Sequence, residues 1–325
     1  MKKCYVSIEK CLLLIKNQKK NKIIFLFPDY CYNSFISNCF KPLIRRVVMR
    51  RVPVLFFIVA VSIVLNFCIS KNMVPVKLWE TDAVLQVPES VMYDGINNVL
   101  YVSNINGKPL EKNGKGFISL VSLDGKVLEK QWMTGFDAPK GMGIFKGMLF
   151  VSDIDRVYQI DISKKKITAT VIAWDALFLN DIAIDKQGTV YVSDMKTSKI
   201  YRLQDKKINK WITLDYPNAN GMLMAGDKVL VGTAAGIVAL DIQTGKPELL
   251  VLHDNKIDGV KYIEKGTYIV SNWAGRTELI GKRKILLLDT TAENIQAADL
   301  EYIHEKRLLL IPTFFHNTIA AYRLP

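Results

Sequence analysis

The chain has 325 residues, of which 44 are Lys or Arg and 31 are Asp or Glu, and half are hydrophobic. This composition supports a large core and excludes extended disorder for most of the chain. The positive charge is concentrated near the start: residues 1–76 hold 13 basic side chains against Glu9 and Asp29, whereas 77–325 hold 31 basic and 29 acidic ones. Because the excess lies in a leader, the net charge does not predict nucleic-acid binding.

All five cysteines lie in the first 68 residues, and 77–325 has none; they are Cys4, Cys11, Cys31, Cys39 and Cys68. The sequence therefore excludes a thiol nucleophile, a cysteine-ligated zinc site and a disulfide framework from the main domain.

The segment 52–70 is a run of 19 residues without a charged side chain, with four arginines just before it and Lys71 after it. This pattern is typical of a secretory signal peptide and also of a single membrane anchor. Under either interpretation the domain that follows residue 70 is exported, and it is either periplasmic or anchored to the membrane and facing outward. Met49 begins a more natural signal peptide than Met1 does. We therefore divide the leader into a basic extension over 1–48, which includes the alternative of a misassigned start, and a signal or anchor segment over 49–70.

Six short strand-like phrases recur between residues 101 and 314. They are YVSN (101–104), FVSD (150–153), YVSD (191–194), LVGT (230–233), IVSN (269–272) and IPTF (311–314). Each follows a short apolar strand and a turn, and each precedes a third strand and, in most units, a more polar fourth strand. Six such units predict an all-β fold over 71–325, a six-bladed β-propeller with four-stranded antiparallel blades. The last unit lacks its outer strand, which we expect residues 76–85 to supply.

One polar residue precedes the innermost strand of each unit. Counting back 12 to 14 residues from the recurring Ser, Gly or Thr gives Glu89, Lys140, Asn180, Asn220, Asp258 and Asp299. Because innermost strands line the central channel of a propeller, we expect these side chains at one level of its mouth. Carboxylate and amide oxygens without His or Cys favour a hard divalent cation. The alternative is a plug without metal, in which Lys140 pairs with Glu89 or Asp299.

We call the six polar residues at the channel mouth the ring residues. Together with the repeated units, they resemble the gluconolactonase/regucalcin family of six-bladed propellers over roughly 77–325. The resemblance implies one divalent cation held by four residues: Glu89 in VPESV, Asn180 in LNDIAID, Asn220 in NANGM and Asp258 in IDGVKY. Ca²⁺ is the first expectation, with Mg²⁺, Mn²⁺ or Zn²⁺ as alternatives.

Two positions depart from the family pattern. The family often places an arginine that contacts a sugar lactone where this chain has Phe178, and Ser90 stands where a Gly-Pro pair usually begins. These departures favour a less polar ligand than a sugar lactone. We expect Phe178, Trp273 and Asp299 to contact the substrate.

Asn104, Asp153, Asp194 and Asn272 follow the second strand in four units. Asn and Asp side chains hydrogen-bond nearby backbone, so these residues are predicted to cap turns.

Together these features predict an exported, metal-dependent hydrolase of a lactone or related ester. Asp258 is the candidate base that takes a proton from a metal-activated water, and Lys140 would stabilise the developing oxyanion. The competing hypothesis is a non-enzymatic envelope propeller that binds a peptide, a glycan or a partner protein.

Overall fold

A computed structural model of the protein describes residues 13–17, 22–26 and 74–325. The chain forms two compact units, Met1–Lys71 and Asn72–Pro325. In the first unit, strands β1 (Leu13–Asn17) and β2 (Lys22–Leu26) pair antiparallel. The predicted signal or anchor segment lies outside the described residues. Among the helices that the structure describes, none has the length and apolar character needed to cross a membrane.

The second unit is a six-bladed β-propeller made of four-stranded antiparallel sheets, as predicted. Within blades 1 to 5, the strands follow one another in the same order in the chain and in the sheet. Blades 1 to 3 comprise β4 (Pro88–Asp94), β5 (Val99–Asn104), β6 (Gly116–Ser122) and β7 (Val127–Phe136); β8 (Pro139–Phe145), β9 (Met148–Asp153), β10 (Arg156–Asp161) and β11 (Lys166–Ile172); and β12 (Leu179–Ile184), β13 (Val190–Asp194), β14 (Lys199–Gln204) and β15 (Lys207–Thr213).

Blade 6 is closed by a strand from the other end of the propeller, which confirms the predicted closure. Strand β3 (Val76–Glu80) pairs antiparallel with β26 and forms the outer edge of that blade. Blades 4 to 6 comprise β16 (Met222–Ala225), β17 (Lys228–Thr233), β18 (Gly236–Asp241) and β19 (Pro247–Leu252); β20 (Val260–Glu264), β21 (Thr267–Asn272), β22 (Arg276–Gly281) and β23 (Ile285–Asp289); and β24 (Glu301–Ile303), β25 (Leu308–Pro312) and β26 (Ile319–Arg323) with β3.

The first strands of consecutive blades contact one another around a complete ring, from β4 through β24 and back to β4. We call the end at which these strands begin the upper face. It carries the connections between blades and those between the second and third strands of each blade. The opposite end, the lower face, carries the turns that join first to second and third to fourth strands. Two short 3₁₀ turns, His304–Lys306 and Phe314–His316, lie at the lower and upper faces respectively.

Hydrophobic side chains fill the spaces between neighbouring blades. Tyr101 and Trp132 of blade 1, with ring centroids 4.8 Å apart, pack in one cluster with Met142 and Leu149 of blade 2. The outer strands are more exposed: burial alternates along β11, and β19 is mostly exposed. The alternation along β11 fits a strand with one side facing water, whereas β19 exposes the apolar side chains of Leu249, Leu250 and Leu252.

Candidate functional site

The six predicted ring residues all lie at the upper end of the channel. Glu89, Lys140 and Asn180 are each the second residue of a first strand, and the other three each stand two residues before one. All six are buried, with exposed fractions between 1% for Lys140 and 7% for Asn220. The sequence spacing therefore places six polar side chains at equivalent positions of six blades.

Glycine follows three of the ring residues, because the next blade lies too close for a side chain. A Cβ atom at Gly221 would lie 2.2 Å from the backbone oxygen of Asp258. At Gly259 it would lie 2.7 Å from Oδ1 of Asp299, and at Gly141 it would lie 2.4 Å from Cα of Asp181. These glycines bring the ring residues of neighbouring blades together.

The recurring serines of the second strands hold in place the backbone at the upper end of the first strands, beside the ring residues. Ser271 Oγ accepts a hydrogen bond from the backbone nitrogen of Gly259 at 2.8 Å and donates one to the backbone oxygen of Ala298 at 2.7 Å. Ser152 Oγ likewise donates to the backbone oxygen of Asn180 in the next blade. In these blades the recurring serine thus fixes the backbone at or beside a ring residue.

The predicted turn-capping residues fasten the connections that lead into the first strands. The side chains of Asn104, Asp153 and Asp194 accept hydrogen bonds from backbone N–H groups just upstream of the ring residues. Three of these contacts are Gln86 N to Asn104 Oδ1 at 2.9 Å, Ala138 N to Asp153 Oδ1 at 2.8 Å and Leu177 N to Asp194 Oδ2 at 2.7 Å. Asn272 instead donates to the backbone oxygen of Lys256 and accepts from the nitrogen of Ala274, so all four bond nearby backbone as predicted.

Hydrogen bonds join ring residues of blades 4 and 5, and ring and neighbouring residues of blades 1 and 6. The Asn220 amide nitrogen donates to Oδ1 of Asp258. The Ser90 hydroxyl donates to Oδ2 of Asp299 at 2.6 Å, and the backbone nitrogen of Asp299 donates to the backbone oxygen of Glu89 at 3.0 Å. The ring therefore contains two hydrogen-bonded groups, one between blades 4 and 5 and one between blades 6 and 1.

Lys140 points its ammonium group into the same region. Its Nζ donates to the backbone oxygen of Ala138 at 2.7 Å and lies 4.9 Å from the centre of the Phe178 ring. The structure thus brings the predicted substrate-contacting Phe178 next to the predicted catalytic Lys140. A lysine ammonium has three donors, so the contact with Ala138 leaves two for other partners.

Two carboxylate oxygens of the ring are buried without a partner. Among the described residues, Oε2 of Glu89 and Oδ1 of Asp299 have no hydrogen-bond partner. An unpaired buried carboxylate oxygen is costly, and native structures normally satisfy it with a donor, a water or a metal.

Burial and mutual repulsion raise the pKa values of the ring carboxyl groups. Burial, then the neighbouring Asp258 and Asp299, raise the pKa of Glu89 well above its usual range. Burial and the charge of Asp299 raise the pKa of Asp258 to about 7, and burial raises that of Asp299 to about 6. Burial also lowers the pKa of Lys140 to about 8, against the opposing effect of Glu89. A bound cation would relieve the repulsion among these carboxylates.

Two charged residues of the channel were missed by the sequence analysis. Asp181 follows Asn180, is buried, and accepts hydrogen bonds from the backbone nitrogens of Met222 at 2.5 Å and of Ile182 at 2.7 Å. Lys261 lies 3.8 Å from Glu301, and this carboxylate, with Asp299 and Asp181, outweighs burial and raises the pKa of Lys261. The sequence feature that could have identified Asp181 is its position, which glycine occupies in blades 2, 4 and 5.

Apolar side chains surround the channel mouth at a second set of equivalent positions, each directly after the last residue of a second strand or, in blade 6, after Thr313. The sulfur of Met195 lies 3.8 Å from Nδ2 of Asn180 and 3.6 Å from Nδ2 of Asn220. The predicted substrate residue Trp273 is 45% exposed and packs edge-on against Phe314 and Phe315, with ring centroids 5.6 and 6.0 Å apart. The full set is Ile105, Ile154, Met195, Ala234, Trp273 and Phe314.

The donor set of the ring fits a hard divalent cation. The amide nitrogen of Asn220 faces Asp258 and that of Asn180 faces Met195, so the amide oxygen of each is the atom left to bind a cation. With the partnerless oxygen of Glu89 and the carboxylate of Asp258, these supply the oxygen ligands that Ca²⁺ and Mg²⁺ prefer. Among the described residues, no three or more His, Cys, Asp or Glu side chains converge in a metal-binding arrangement. The predicted set contains only two such residues and depends on the two amides.

The histidines lie away from the ring. His253 is buried at the outer edge of blade 4, with Nε2 3.1 Å from Oε2 of Glu278, whereas His304 and His316 are exposed. The ring offers carboxylates, amides and one ammonium group for chemistry.

Comparisons with known proteins identify the fold. No protein-family model matches the sequence, and no curated protein matches it. Among solved structures, a catalytically inactive variant of virginiamycin B lyase from Staphylococcus aureus with quinupristin matches with a TM-score of 0.52 and 11% identity, over 76% of this chain and 99% of that one. A streptogramin B lyase matches with a TM-score of 0.56 and 10% identity, over 77% of this chain and 97% of that one.

At these identities the likeness shows a shared propeller fold. Membership of the gluconolactonase/regucalcin family, expected from the sequence, is not confirmed beyond the six-bladed architecture.

Proposed function

We propose that the protein is a metal-dependent hydrolase that opens a lactone or a related ester at the upper mouth of the channel. The observation that carries this proposal is the buried, partnerless Oε2 of Glu89 within a ring of oxygen donors, and the partnerless Oδ1 of Asp299 is left to contact the substrate. A divalent cation would be held by Glu89, Asn180, Asn220 and Asp258, and when bound it would polarise the substrate carbonyl.

The residues of the ring have distinct roles in this proposal. Asp258 takes a proton from the attacking water as the water oxygen bonds to the carbonyl carbon. The ester C–O bond then breaks, and Asp258 returns the proton to the leaving alkoxide. The free donors of Lys140 stabilise the negative charge that develops on the carbonyl oxygen. The Asn220 amide orients Asp258 through its hydrogen bond.

The substrate we propose is an ester with an apolar part. Phe178 lies against Lys140, Met195 covers the two ring amides, and Trp273 and Phe315 are 45% and 58% exposed on the upper face.

Structural neighbours named for lyases of streptogramin B and virginiamycin B support small-molecule chemistry on this fold. One of them is a catalytically inactive variant in which alanine replaces a histidine, whereas the ring of this chain contains no histidine. We therefore propose hydrolysis with a carboxylate base.

The test is thermal melting of Asn72–Pro325 after chelation, with single divalent cations added back, followed by a lactone and ester screen. This unit holds all the strands of the six blades. A cation at a hundredfold excess over Kd should stabilise the wild type by about 2.7 kcal/mol. Asn220→Ala should abolish that gain, whereas Asn209→Ala and Asp215→Ala, which remove exposed groups, should retain it.

Turnover separates the role of a base from the role of a ligand. Asp258→Asn keeps an oxygen that can bind the cation but removes the base, so kcat/KM should fall by about 10²-fold or more while a cation-dependent melting shift remains. If no cation raises the melting temperature and no ester is hydrolysed, the proposal fails.

A second candidate is a non-enzymatic propeller that binds a partner at the upper face. Two observations favour it. Ser90 and Lys140 donate hydrogen bonds within the protein, to Asp299 and to the backbone oxygen of Ala138, and the upper face exposes apolar side chains such as Trp174, which is 88% exposed. In that case Trp174→Ala should weaken capture of a peptide, glycan or protein, and the ring variants should not.

A further inference from the structure

The turns of the lower face carry a large excess of positive charge. The segments that join first to second and third to fourth strands hold thirteen basic and five acidic residues, a net charge of +8. The basic residues are Lys126, Lys146, Lys164, Lys165, Lys186, Lys206, Lys246, Lys265, Lys282, Arg283, Lys284, Lys306 and Arg307, and the acidic ones are Asp124, Asp185, Asp205, Asp227 and Glu305.

The connections of the upper face have the opposite sign. They hold five basic and ten acidic residues, a net charge of −5. The basic residues are Lys108, Lys112, Lys115, Lys196 and Lys256. Because residues 77–325 are nearly neutral overall, the lower-face charge is a separation of charge within the propeller and not a reflection of its total.

Most of the lower-face cations are available to a partner. Within the described residues, ten of the thirteen form no ion pair; the exceptions are Lys164, Lys165 and Lys284, which contact Asp161, Glu129 and Asp254. Asp254 belongs to the connection from blade 4 to blade 5, so Lys284 lies at the side of the propeller and not on the lower face itself. The unpaired side chains come from turns of all six blades and are exposed. They form a broad basic surface rather than a pocket.

The chain enters the propeller at this same face. Val76 pairs with Arg323, and Arg323 pairs with Leu308, which directly follows the lower-face turn ending at Arg307. The uncharged run of 52–70 ends only six residues before Val76. Six residues span at most about 20 Å when fully extended. A membrane that holds this run would therefore lie close to the lower face.

We propose that the lower face docks on the anionic lipid headgroups of the membrane that holds residues 52–70. Lysine and arginine near a bilayer are attracted to anionic lipids, and an apolar segment combined with a basic patch gives firmer attachment than either alone. In this orientation the acidic upper face, with the channel mouth, points away from the bilayer. This inference is independent of the chemistry proposed for the ring.

The test is lysine footprinting of the full chain reconstituted into vesicles. A membrane-impermeant amine-acylating reagent is applied to vesicles of phosphatidylcholine, with or without phosphatidylglycerol, and labelling is read by mass spectrometry. The measured quantity is the labelling of lower-face Lys146, Lys206 and Lys306 relative to upper-face Lys115 and Lys196. Phosphatidylglycerol should lower this ratio by about threefold or more, and about 0.5 M salt should restore it because it screens the attraction.

Two matched variants test the charge itself. Replacing Lys126, Lys146, Lys186, Lys206 and Lys265 with serine should return the labelling of Lys282 and Lys306 to the level seen without anionic lipid. Replacing the five upper-face lysines with serine changes the net charge equally and should leave the protection of Lys282 and Lys306 intact. In both variants the protection is read as the labelling of these two lysines with phosphatidylglycerol relative to their labelling without it. Equal ratios in both lipids, protection of the upper face instead, or protection by duplex DNA but not by vesicles would each overturn the proposal.

Discussion

At Gly259 a missing side chain keeps blades 5 and 6 in contact beside the ring. A Cβ atom there would lie within 3.0 Å of Oδ1 of Asp299, the nitrogen of Leu300 and Oγ of Ser271. Two of these atoms belong to backbone or to a fixed hydroxyl, so Gly259→Ala forces the blades apart. We expect a loss of about 1–3 kcal/mol in the free energy of unfolding, the usual cost of overpacking, measured by urea denaturation.

The control is Gly95→Ala, where the nearest atom to a new Cβ is a Tyr93 ring carbon at an ordinary 3.5 Å. A surface change of this kind should alter stability by no more than about 0.5 kcal/mol. Equal effects of the two substitutions would show that blades 5 and 6 are not in close contact at Gly259.

All six ring residues could be predicted from the sequence, because each stands 12 to 14 residues before the recurring Ser, Gly or Thr of the second strand. Lys261 and Asp181 could not, because their significance depends on the neighbouring blade. Lys261 is one of many lysines on strands, and only its 3.8 Å distance from Glu301 of blade 6 sets it apart. Asp181 belongs to the site through the backbone of Met222 in blade 4, a contact that no local pattern encodes.

At the scale of elements, a buried histidine joins the outer edge of blade 4 to the third strand of blade 5. Nε2 of His253 lies 3.1 Å from Glu278 and Nδ1 lies 3.5 Å from Asp254, while Lys284 contacts both acids at 3.7 and 2.8 Å. Burial lowers the pKa of His253, and Lys284 lowers it further, against the opposing charges of Glu278 and Asp254.

This contact predicts how stability depends on pH. A group with a lower pKa in the folded chain binds fewer protons when folded, so its protonation favours unfolding. The stabilisation by neutral His253 is complete above the ordinary histidine pKa of about 6.5 and is lost as the pH falls below it. His253→Asn should therefore show a smaller fall in melting temperature than the wild type between about pH 7.5 and pH 5.5.

The control for this prediction is His304→Asn, which replaces an exposed histidine and leaves His253 in place. It should keep the pH dependence of the wild type. A His253→Asn profile parallel to the wild type would place the pH sensitivity of the fold elsewhere.

The strands themselves were predictable because apolar and polar residues alternate in short runs separated by turn residues, six times in phase. The connections were less predictable. The 105–115 connection of blade 1 carries three of the five upper-face lysines, and its length is set by neither strand that it joins. Its structure depends on contacts such as that of Lys112 with Asp155 of blade 2.

At the scale of the whole molecule, closure joins the two ends of the propeller. Strand β3 pairs with β26, the Thr318 hydroxyl donates to Oε1 of Glu80, and the backbone nitrogen of Thr81 donates to the backbone oxygen of Ile319 at 3.0 Å. Trp79 packs on blade 1, where a Cβ atom at Gly125 would lie 2.5 Å from its ring. One strand therefore completes blade 6 and also fastens it to blade 1.

Removing β3 should therefore destabilise the whole propeller. A chain that begins at Thr81 loses the Trp79 packing and the outer ladder of blade 6, so its free energy of unfolding should fall by about 3–5 kcal/mol, the usual cost of deleting a large packed aromatic. It also exposes β26 as a new edge strand, which favours association between chains. Thermal melting and size-exclusion chromatography, with a chain that begins at Asn72 as the control, measure the two effects. If the chain that begins at Thr81 is a monomer and melts like the control, the other 23 strands of the propeller keep it closed. In that case β3 only covers the outer edge of blade 6.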